Sequence, residues 1–240
     1  MHDHSDFARN RDRFGAAGAE PFEPAVGSLP ESDLSHADVE TTETGTTIVA
    51  IAADDGVLMA ADQRASLAGR IVSNKNVQKI EEIQHNAALS ISGSVGGAQA
   101  FIRALKAETN LYEARRGEHM SIPALATYAS LLLRGGPYFL VVPLLGGVDD
   151  DGGHVFSLDP SGSSLSDDYS ASGSGMGFAL GVLEQEYEEG MSMDDAQTAA
   201  ARAIDSATER DTASGDGIHV ARITREDVDV TAYDDVAELL

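Results

Sequence analysis

Beyond residue 45 the chain begins with short runs in which apolar and polar residues alternate, as they do in β-strands with one buried face. Asp54-Asp55-Gly56 separates the first two runs and is a signal for a tight hairpin turn. Strands are predicted at residues 47–53, 57–62, 70–73 and 87–92. The chain beyond residue 45 therefore opens as a set of antiparallel strands.

Two pairs of helical patterns interrupt further strands. In each helix the apolar residues recur at spacings of three and four, and Ser121 and Ser192 are typical helix N-caps. The helices are predicted at 93–117, 121–135, 176–189 and 192–210, and the later strands at 138–145, 153–158, 163–172, 217–224 and 228–233.

This order of elements favours one class of fold. A doubly wound parallel sheet needs one helix in each crossover, whereas here the helices come as adjacent pairs between blocks of strands. Residues 138–145 are almost continuously apolar, which indicates a strand that is covered on both faces. We expect an α+β fold in which two antiparallel sheets stack face to face, with one helical pair on each outer side.

Residues 1–45 have a different composition from the rest. They are rich in Asp, Glu, Ser, Thr and Gly, contain three prolines and show no sustained period. Such a segment buries too little apolar area to offset the entropy lost on ordering. We expect residues 1–45 to be an acidic, largely disordered leader and residues 46–240 to be the folded domain.

Composition narrows the possible function classes. The chain has 40 acidic and 16 basic residues, a formal net charge of −24 and no cysteine. The acidic surface disfavours nucleic acid and anionic membranes as partners, and no apolar run is long enough to cross a bilayer. No signal peptide is visible, the seven histidines are scattered without metal spacing, and neither a metal nor a cofactor is predicted. A cytoplasmic protein is expected.

Lysine is unusually scarce. Lys75, Lys79 and Lys106 are the only lysines in 240 residues. Acidic excess with so little lysine favours adaptation to a high-salt cytoplasm, in which salt screens the self-repulsion of the surface. A chain that discards lysine keeps it where a compact ammonium is needed, which draws attention to Lys79, although a chance survivor is the alternative.

The junction Gly45-Thr46 is a candidate cleavage site. Removing the leader would give Thr46 both a hydroxyl and a free α-amine, which together form a nucleophile and its base within one residue. The local alternative is an ordinary turn among several threonines.

Other polar residues stand at predicted strand ends. Asp62 ends the second strand, and Gly93 precedes a helix where backbone N–H groups could hold an oxyanion. Ser174 lies between two glycines, but the full nucleophile-elbow pattern is missing, so a serine hydrolase is poorly supported. Taken singly, Asp62 is equally a surface charge and Gly93 an ordinary turn glycine.

Six ordered motifs span residues 45–49, 61–66, 77–80, 92–97, 171–175 and 210–215. Together they resemble those of proteasome β subunits, in the acidic, lysine-poor form of haloarchaea, and the resemblance runs from Thr46 to about Thr224. Two departures are a loop between Asp62 and Lys79 that is longer by one residue and a serine, Ser66, where threonine is more common.

The resemblance implies a four-layer αββα sandwich, the N-terminal nucleophile hydrolase fold, and a threonine-type endopeptidase. It makes Thr46 the nucleophile and its freed α-amine, with a pKa of about 7.7–8.0, the proton acceptor. Lys79, fixed by Asp62, would lower the proton affinity of the hydroxyl, and Gly93 would hold the oxyanion. The residues implied to surround the amine are Ser174, Asp211 and Ser214.

The resemblance also implies how substrates bind. The backbone of Ser66 would pair with an extended substrate strand. Ala65, Val77, Ile91 and Val95 would line the pocket for the residue before the cleaved bond, which favours hydrophobic or aromatic side chains there.

The implied assembly is the 20S core. Its partners would be proteasome α subunits and other β subunits in stacked seven-membered rings, α7β7β7α7, together with an AAA ATPase that delivers unfolded proteins. Two alternatives remain open, namely an inactive structural β subunit of the same rings and a subunit of the bacterial ATP-dependent ring peptidase, which normally has little or no leader.

Overall fold

A computed structural model describes residues 43–67, 69–138 and 140–240. The predicted leader therefore lies outside the described residues except for its last three. The strands are β1 Glu43–Thr44, β2 Thr47–Ala53, β3 Gly56–Asp62, β4 Ala65–Leu67, β5 Ile71–Asn74, β6 Ile80–Gln84, β7 Ala87–Ser94, β8 Val141–Asp149, β9 Gly152–Leu158, β10 Ser164–Asp167, β11 Tyr169–Gly173, β12 Ile218–Ile223 and β13 Val228–Tyr233. The helices are α1 Val95–Arg116, α2 Ile122–Gly135, α3 Met176–Glu186 and α4 Met193–Arg210, and a short 3-10 helix spans Val236–Leu239.

The strands form two large antiparallel sheets. One has the order β11-β2-β3-β12-β13, and the other has the order β1-β7-β8-β9-β10 with β6 also pairing with β7. The strands β4 and β5 form a separate hairpin. The predicted two-residue turn at Asp54-Asp55 joins β2 to β3, whose register places Ile48 opposite Ala61.

Three layers of buried side chains separate four layers of backbone. One core lies between α3, α4 and the β2–β3 sheet, and another lies between α1, α2 and the β7–β8 sheet. A third core, which includes Ile48, Met59 and Leu144, lies between the two sheets. The αββα sandwich that the pattern of paired helices predicted is confirmed.

The side chains of Ser94 and Ser192 cap their helices, whereas the predicted N-cap Ser121 makes no side-chain capping hydrogen bond to α2. Ser94 caps α1 by accepting a hydrogen bond from the backbone N–H of Gly97 at 3.3 Å, and Gly117 ends that helix in the left-handed conformation. Ser192 caps α4 in the same way through Asp195 N–H, and Asp194 and Asp195 complement the N-terminal end of the helix dipole.

The strand predictions need correction at several points, and the short strands β1 and β4 were not predicted. Residues 163–172 form two strands, because the chain passes at Asp168 from β10 beside β9 to β11 beside β2, in the other sheet. The apolar run that begins at residue 138 first forms a turn, so β8 starts at Val141. The strand β6 was missed because its two isoleucines, Ile80 and Ile83, face different cores and leave no period-two pattern.

Candidate functional site

Thr46 lies at the start of β2, where the β2–β3 hairpin brings it close to Asp62 at the end of β3. Thr46 is 2% exposed, and its hydroxyl donates a hydrogen bond to Asp62 Oδ1 at 2.9 Å. The backbone N–H of Thr47 donates to the same oxygen at 2.8 Å. Two residues that are 16 positions apart therefore meet because the hairpin register closes the distance.

Lys79 completes this centre from the segment just before β6. Its Nζ donates to Asp62 Oδ1 at 2.6 Å and also hydrogen-bonds the hydroxyl of Thr46. The side chains of Lys79 and Asp62 are 8% and 0% exposed. Burial lowers the pKa of the Lys79 ammonium, and the Asp62 carboxylate opposes that effect without cancelling it. The hydroxyl of Thr46 thus contacts both the carboxylate of Asp62 and the ammonium of Lys79, which also contact each other.

The carboxylate of Asp62 is held from both sides. Its second oxygen, Oδ2, accepts backbone hydrogen bonds from Gly215 at 2.9 Å and from Arg64 at 3.1 Å. Because a buried carboxylate is costly unless its oxygens are satisfied, these donors fix both the charge and the orientation of the group. The five donors to Asp62 are Thr46 Oγ1, Thr47 N, Lys79 Nζ, Arg64 N and Gly215 N.

A second polar cluster surrounds the nitrogen of Thr46. Thr46 N donates to Ser174 Oγ at 3.1 Å, and Ser174 Oγ donates to Asp211 Oδ2 at 2.5 Å. Ser214 Oγ donates to the same carboxylate oxygen at 2.7 Å and lies 2.8 Å from the hydroxyl oxygen of Thr47. The three residues implied to surround the amine therefore form one hydrogen-bonded cluster, and Ser174 contacts the nitrogen that leader removal would free.

The glycines beside Ser174 allow the chain to approach Thr46 closely. A Cβ atom at Gly173 would lie 2.1 Å from the carbonyl oxygen of Thr46, and one at Gly175 would lie 2.0 Å from Thr47 Oγ1. Gly173 also has a φ of +97°, which L side chains rarely adopt. The Gly-Ser-Gly motif is thus a site of close backbone packing that brings the serine hydroxyl to the Thr46 nitrogen.

A cavity of about 140 Å³ opens beside Thr46 and Lys79. Gly93 lines it, and so do the four apolar residues predicted for the first substrate pocket, Ala65, Val77, Ile91 and Val95. Ser66 does not line this cavity, and its hydroxyl is buried with no hydrogen-bond partner among the described residues. The remaining lining residues are Arg64, Gln78, Glu81, Ala98, Gln99 and Ile102.

Comparison with known proteins identifies the family. A profile described as "Proteasome subunit" matches residues 42–223. The chain belongs to the proteasome subunit family. It is 66% identical over 237 residues to a Halobacterium salinarum protein named "Proteasome subunit beta", covering 98% of this chain and 97% of the relative. The protein of that name from Natrialba magadii is 54% identical with the same coverage, and "Proteasome subunit beta 2" of Haloterrigena turkmenica is 56% identical over 217 residues, covering 90% and 91%.

These relatives bear on two predictions from the sequence. They come from halophilic archaea, which confirms the interpretation of the acidic, lysine-poor composition. The match to the Halobacterium protein covers 98% of the chain and therefore includes most of residues 1–45. Most of residues 1–45 thus have a counterpart in a proteasome relative, and their role as a removable leader stays a prediction.

The last leader residues lie along the site. Strand β1 pairs antiparallel with the end of β7, with Glu43 opposite Ser94 and Thr44 opposite Gly93, and it also contacts β4. Glu43 and Thr44 therefore lie between β7 and β4, and β4 contains Ser66, whose backbone the resemblance pairs with an extended substrate. Gly45 then connects this strand directly to Thr46.

No role was predicted for Arg64 and Asp216, although Arg64 lies within the motif at residues 61–66. Arg64 Nε lies 2.7 Å from Asp216 Oδ2, and one terminal nitrogen donates to the carbonyl of Thr212 at 3.1 Å. The hydrogen bond from Arg64 lowers the pKa of the Asp216 carboxyl. Asp216 has a φ of +65°. Arg64 thereby holds the loop that presents the N–H of Gly215 to Asp62.

Two further findings complete the description. No helix in the described part of the chain has the length and apolar character needed to cross a membrane. Among residues 43–67, 69–138 and 140–240, no group of three or more His, Cys, Asp or Glu side chains is placed to hold a metal ion.

Proposed function

We propose that this chain is the catalytic β subunit of a 20S proteasome core and acts as an N-terminal threonine endopeptidase on unfolded proteins. The observation that carries the proposal is the position of the Thr46 hydroxyl, which contacts both Lys79 Nζ and Asp62 Oδ1 while its own backbone nitrogen contacts Ser174. This arrangement supplies a nucleophile, a positive charge beside it and a polar shell for the amine that leader removal releases.

Maturation uses the same hydroxyl. The Thr46 Oγ adds to the carbonyl carbon of Gly45, the carbon–nitrogen bond of the peptide breaks, and the proton of the hydroxyl ends on the released amine. Water then hydrolyses the resulting ester, which frees residues 1–45 and restores the hydroxyl. Until this cleavage the nitrogen is an amide without basic character, so the uncut chain is an inactive precursor.

Peptide hydrolysis follows with an external substrate. An unperturbed α-amine has a pKa of about 7.7–8.0, so near that pH a substantial fraction of the freed amine is neutral and accepts the hydroxyl proton through water. Lys79 stabilises the developing alkoxide, and the backbone N–H of Gly93 holds the oxyanion of the tetrahedral intermediate. The leaving amine takes the proton, and a water molecule hydrolyses the acyl ester. Asp211 and Ser214 orient Ser174 against the amine throughout.

The substrate follows the path that the end of the leader occupies. An extended chain would add as a strand between β7 and β4, with backbone pairing at Gly93 and Ser66. The side chain before the cleaved bond would enter the cavity lined by Ala65, Val77 and Ile91. Backbone pairing accepts many sequences, as a protease that degrades unfolded proteins requires.

The family supports an assembly with α subunits. We place the chain in seven-membered rings stacked as α7β7β7α7, in the cytoplasm, with an AAA ATPase delivering substrates. The archaeal relatives named as proteasome β subunits support this assembly over the bacterial ring peptidase. The joint presence of Thr46, Asp62 and Lys79 supports a cutting subunit over a structural one.

The test uses two substitutions of the nucleophile. Thr46→Ala should assemble, retain the leader and lose hydrolysis of fluorogenic peptides. Thr46→Ser keeps a hydroxyl and should retain both leader removal and peptide hydrolysis. Thr127→Ala, at an exposed threonine of α2, is the matched control and should behave as the wild type. Hydrolysis or leader removal by the assembled Thr46→Ala particle would refute the proposal.

A further inference from the structure

Lys106 is the third lysine of a chain that almost excludes this residue, and it forms an ion pair that the mechanism does not use. Its Nζ lies 3.2 Å from Glu81 Oε2. Both side chains are partly exposed, 38% for Lys106 and 37% for Glu81. Since exposed pairs contribute little to stability, the retention of lysine here points to another role.

The ion pair belongs to the cavity beside Thr46. Glu81 lines the cavity, and it follows Lys79 by two residues, a spacing that directs side chains to the same side of an extended chain. On α1 the lining residues Val95, Ala98, Gln99 and Ile102 lie on one face, and Lys106 is on the next turn of that face. The apolar walls of the cavity therefore continue to a polar region formed by Glu81 and Lys106.

The charge of this region is balanced. Glu81 Oε2 is engaged by Lys106, and no hydrogen bond to Glu81 Oε1 occurs among the described residues. A carboxylate oxygen in a mainly apolar cavity accepts a hydrogen bond from a donor that reaches it. The adjacent ammonium of Lys106 repels a cationic tip, so a neutral donor fits this region better than a guanidinium or an ammonium does.

We propose that Glu81, held by Lys106, is a specificity-determining residue that favours a side chain with an apolar body and a neutral hydrogen-bond donor at its tip. Tyrosine before the cleaved bond is then preferred over phenylalanine, which has the same ring without the hydroxyl, and over arginine. The inference rests on the proposed function, and it refines the purely hydrophobic or aromatic preference expected from Ala65, Val77, Ile91 and Val95.

The experiment compares fluorogenic peptides that differ only in the residue before the cleaved bond, with tyrosine, phenylalanine or arginine there. The mature wild-type particle should show a kcat/KM for tyrosine about three- to tenfold above that for phenylalanine, the effect of one hydrogen bond. Glu81→Met should bring this ratio close to one. Lys106→Met leaves the carboxylate of Glu81 unbalanced and should raise arginine cleavage relative to tyrosine.

Each ratio compares kcat/KM for two peptides cleaved by the same variant. Differences between variants in assembly or total activity therefore do not affect it. Glu82→Met is the matched control, because Glu82 is the neighbouring exposed glutamate of β6 and does not line the cavity; its ratios should equal those of the wild type. Equal tyrosine and phenylalanine cleavage by the wild type, or a preference that survives Glu81→Met, would overturn the specificity inference alone. If the mature wild-type particle cleaved none of the three peptides, both the proposed function and the inference would be overturned.

Discussion

Two lysine–carboxylate pairs, each with one member lining the cavity, have sharply different surroundings. At the reacting end, Asp62 and Lys79 are 0% and 8% exposed, and Asp62 accepts five hydrogen bonds. On the α1 side, Glu81 and Lys106 are 37% and 38% exposed and contact one another at a single oxygen. The same two charges thus occur once in a closed network and once beside solvent.

This difference determines what each pair can do. A buried pair interacts strongly, and removal of one partner leaves an uncompensated charge in a medium of low dielectric constant. A half-exposed pair is screened by solvent and salt, so its loss hardly affects the fold, but it changes which side chains the cavity accepts. Substitutions at the reacting end should therefore affect every substrate, and those at the α1 side should affect the choice among substrates.

The largest effect is expected for Lys79→Met. This change removes the positive charge beside the Thr46 hydroxyl and leaves Asp62 buried without its cation. Peptide hydrolysis should fall by about 10²–10³ or more for all peptides, as on loss of a preorganised electrostatic group. The free energy of unfolding should also fall, by about 3–5 kcal/mol. Steady-state kinetics and urea denaturation of the purified protein measure the two effects.

Lys75→Met provides the control for that prediction. Lys75 pairs with Asp216 at 3.5 Å, but its side chain is 73% exposed. Loss of an exposed pair should change activity and stability only slightly. Equal losses of activity and stability in Lys79→Met and Lys75→Met would contradict the claim that burial makes the Asp62–Lys79 pair the more important one.

The next largest effect concerns the crowding at the reacting end. In Gly45→Ala the new Cβ would lie 1.9 Å from the Cβ of Ala213, so the chain before Thr46 must move. A displacement of about 1 Å from the reactive geometry costs about 10² in rate, so leader removal should slow by that factor. Mass spectrometry of the subunit over time after expression measures it. Gly96→Ala, where an added Cβ meets nothing within 4 Å, should be processed normally.

The parts of the molecule that could be predicted from sequence are those set by local pattern. The hairpin at Asp54-Asp55, the capped helices α1 and α4 and the order of paired helices and strands led directly to the αββα sandwich. The reacting end was identified through a resemblance that placed Thr46, Asp62 and Lys79 in ordered motifs. The hairpin register then explains why two of those motifs meet.

The parts that could not be predicted depend on packing between distant segments. The role of Arg64 requires that the loop at residues 212–217 lies beside the end of β3, which no local period encodes. Glu81 faces the cavity only because β6 lies against α1, and β6 itself was missed. The scarcity of lysine was the one available signal for Lys106, and it was applied to Lys79 alone.

A moderate effect is expected for Ser174→Ala, which removes the hydroxyl that contacts the Thr46 nitrogen and Asp211. Hydrogen bonds to charged groups contribute about 1.5–3 kcal/mol, so kcat should fall about tenfold or more, because the amine loses its orientation when it holds the proton. KM should stay nearly unchanged, since the serine does not line the substrate cavity. Ser166→Ala, at an exposed serine of β10, should leave both constants at wild-type values. A change confined to KM would contradict the positioning role.

The smallest effect concerns His219, a buried histidine whose pKa is affected by the charge of Lys79. His219 lies on β12 opposite Ala61, is 5% exposed, and its Nδ1 has no partner among the described residues. Burial, assisted by the Lys79 charge, lowers the pKa of His219 below the ordinary value of about 6.5. The unfolded chain then binds a proton more readily than the folded chain, so stability falls as the pH drops below about 6.5. The melting temperature of His219→Gln should therefore decline less than that of the wild type between pH 7.5 and 5.5 at constant KCl. Parallel declines in the two proteins would show that protonation of His219 does not contribute to the loss of stability in this range.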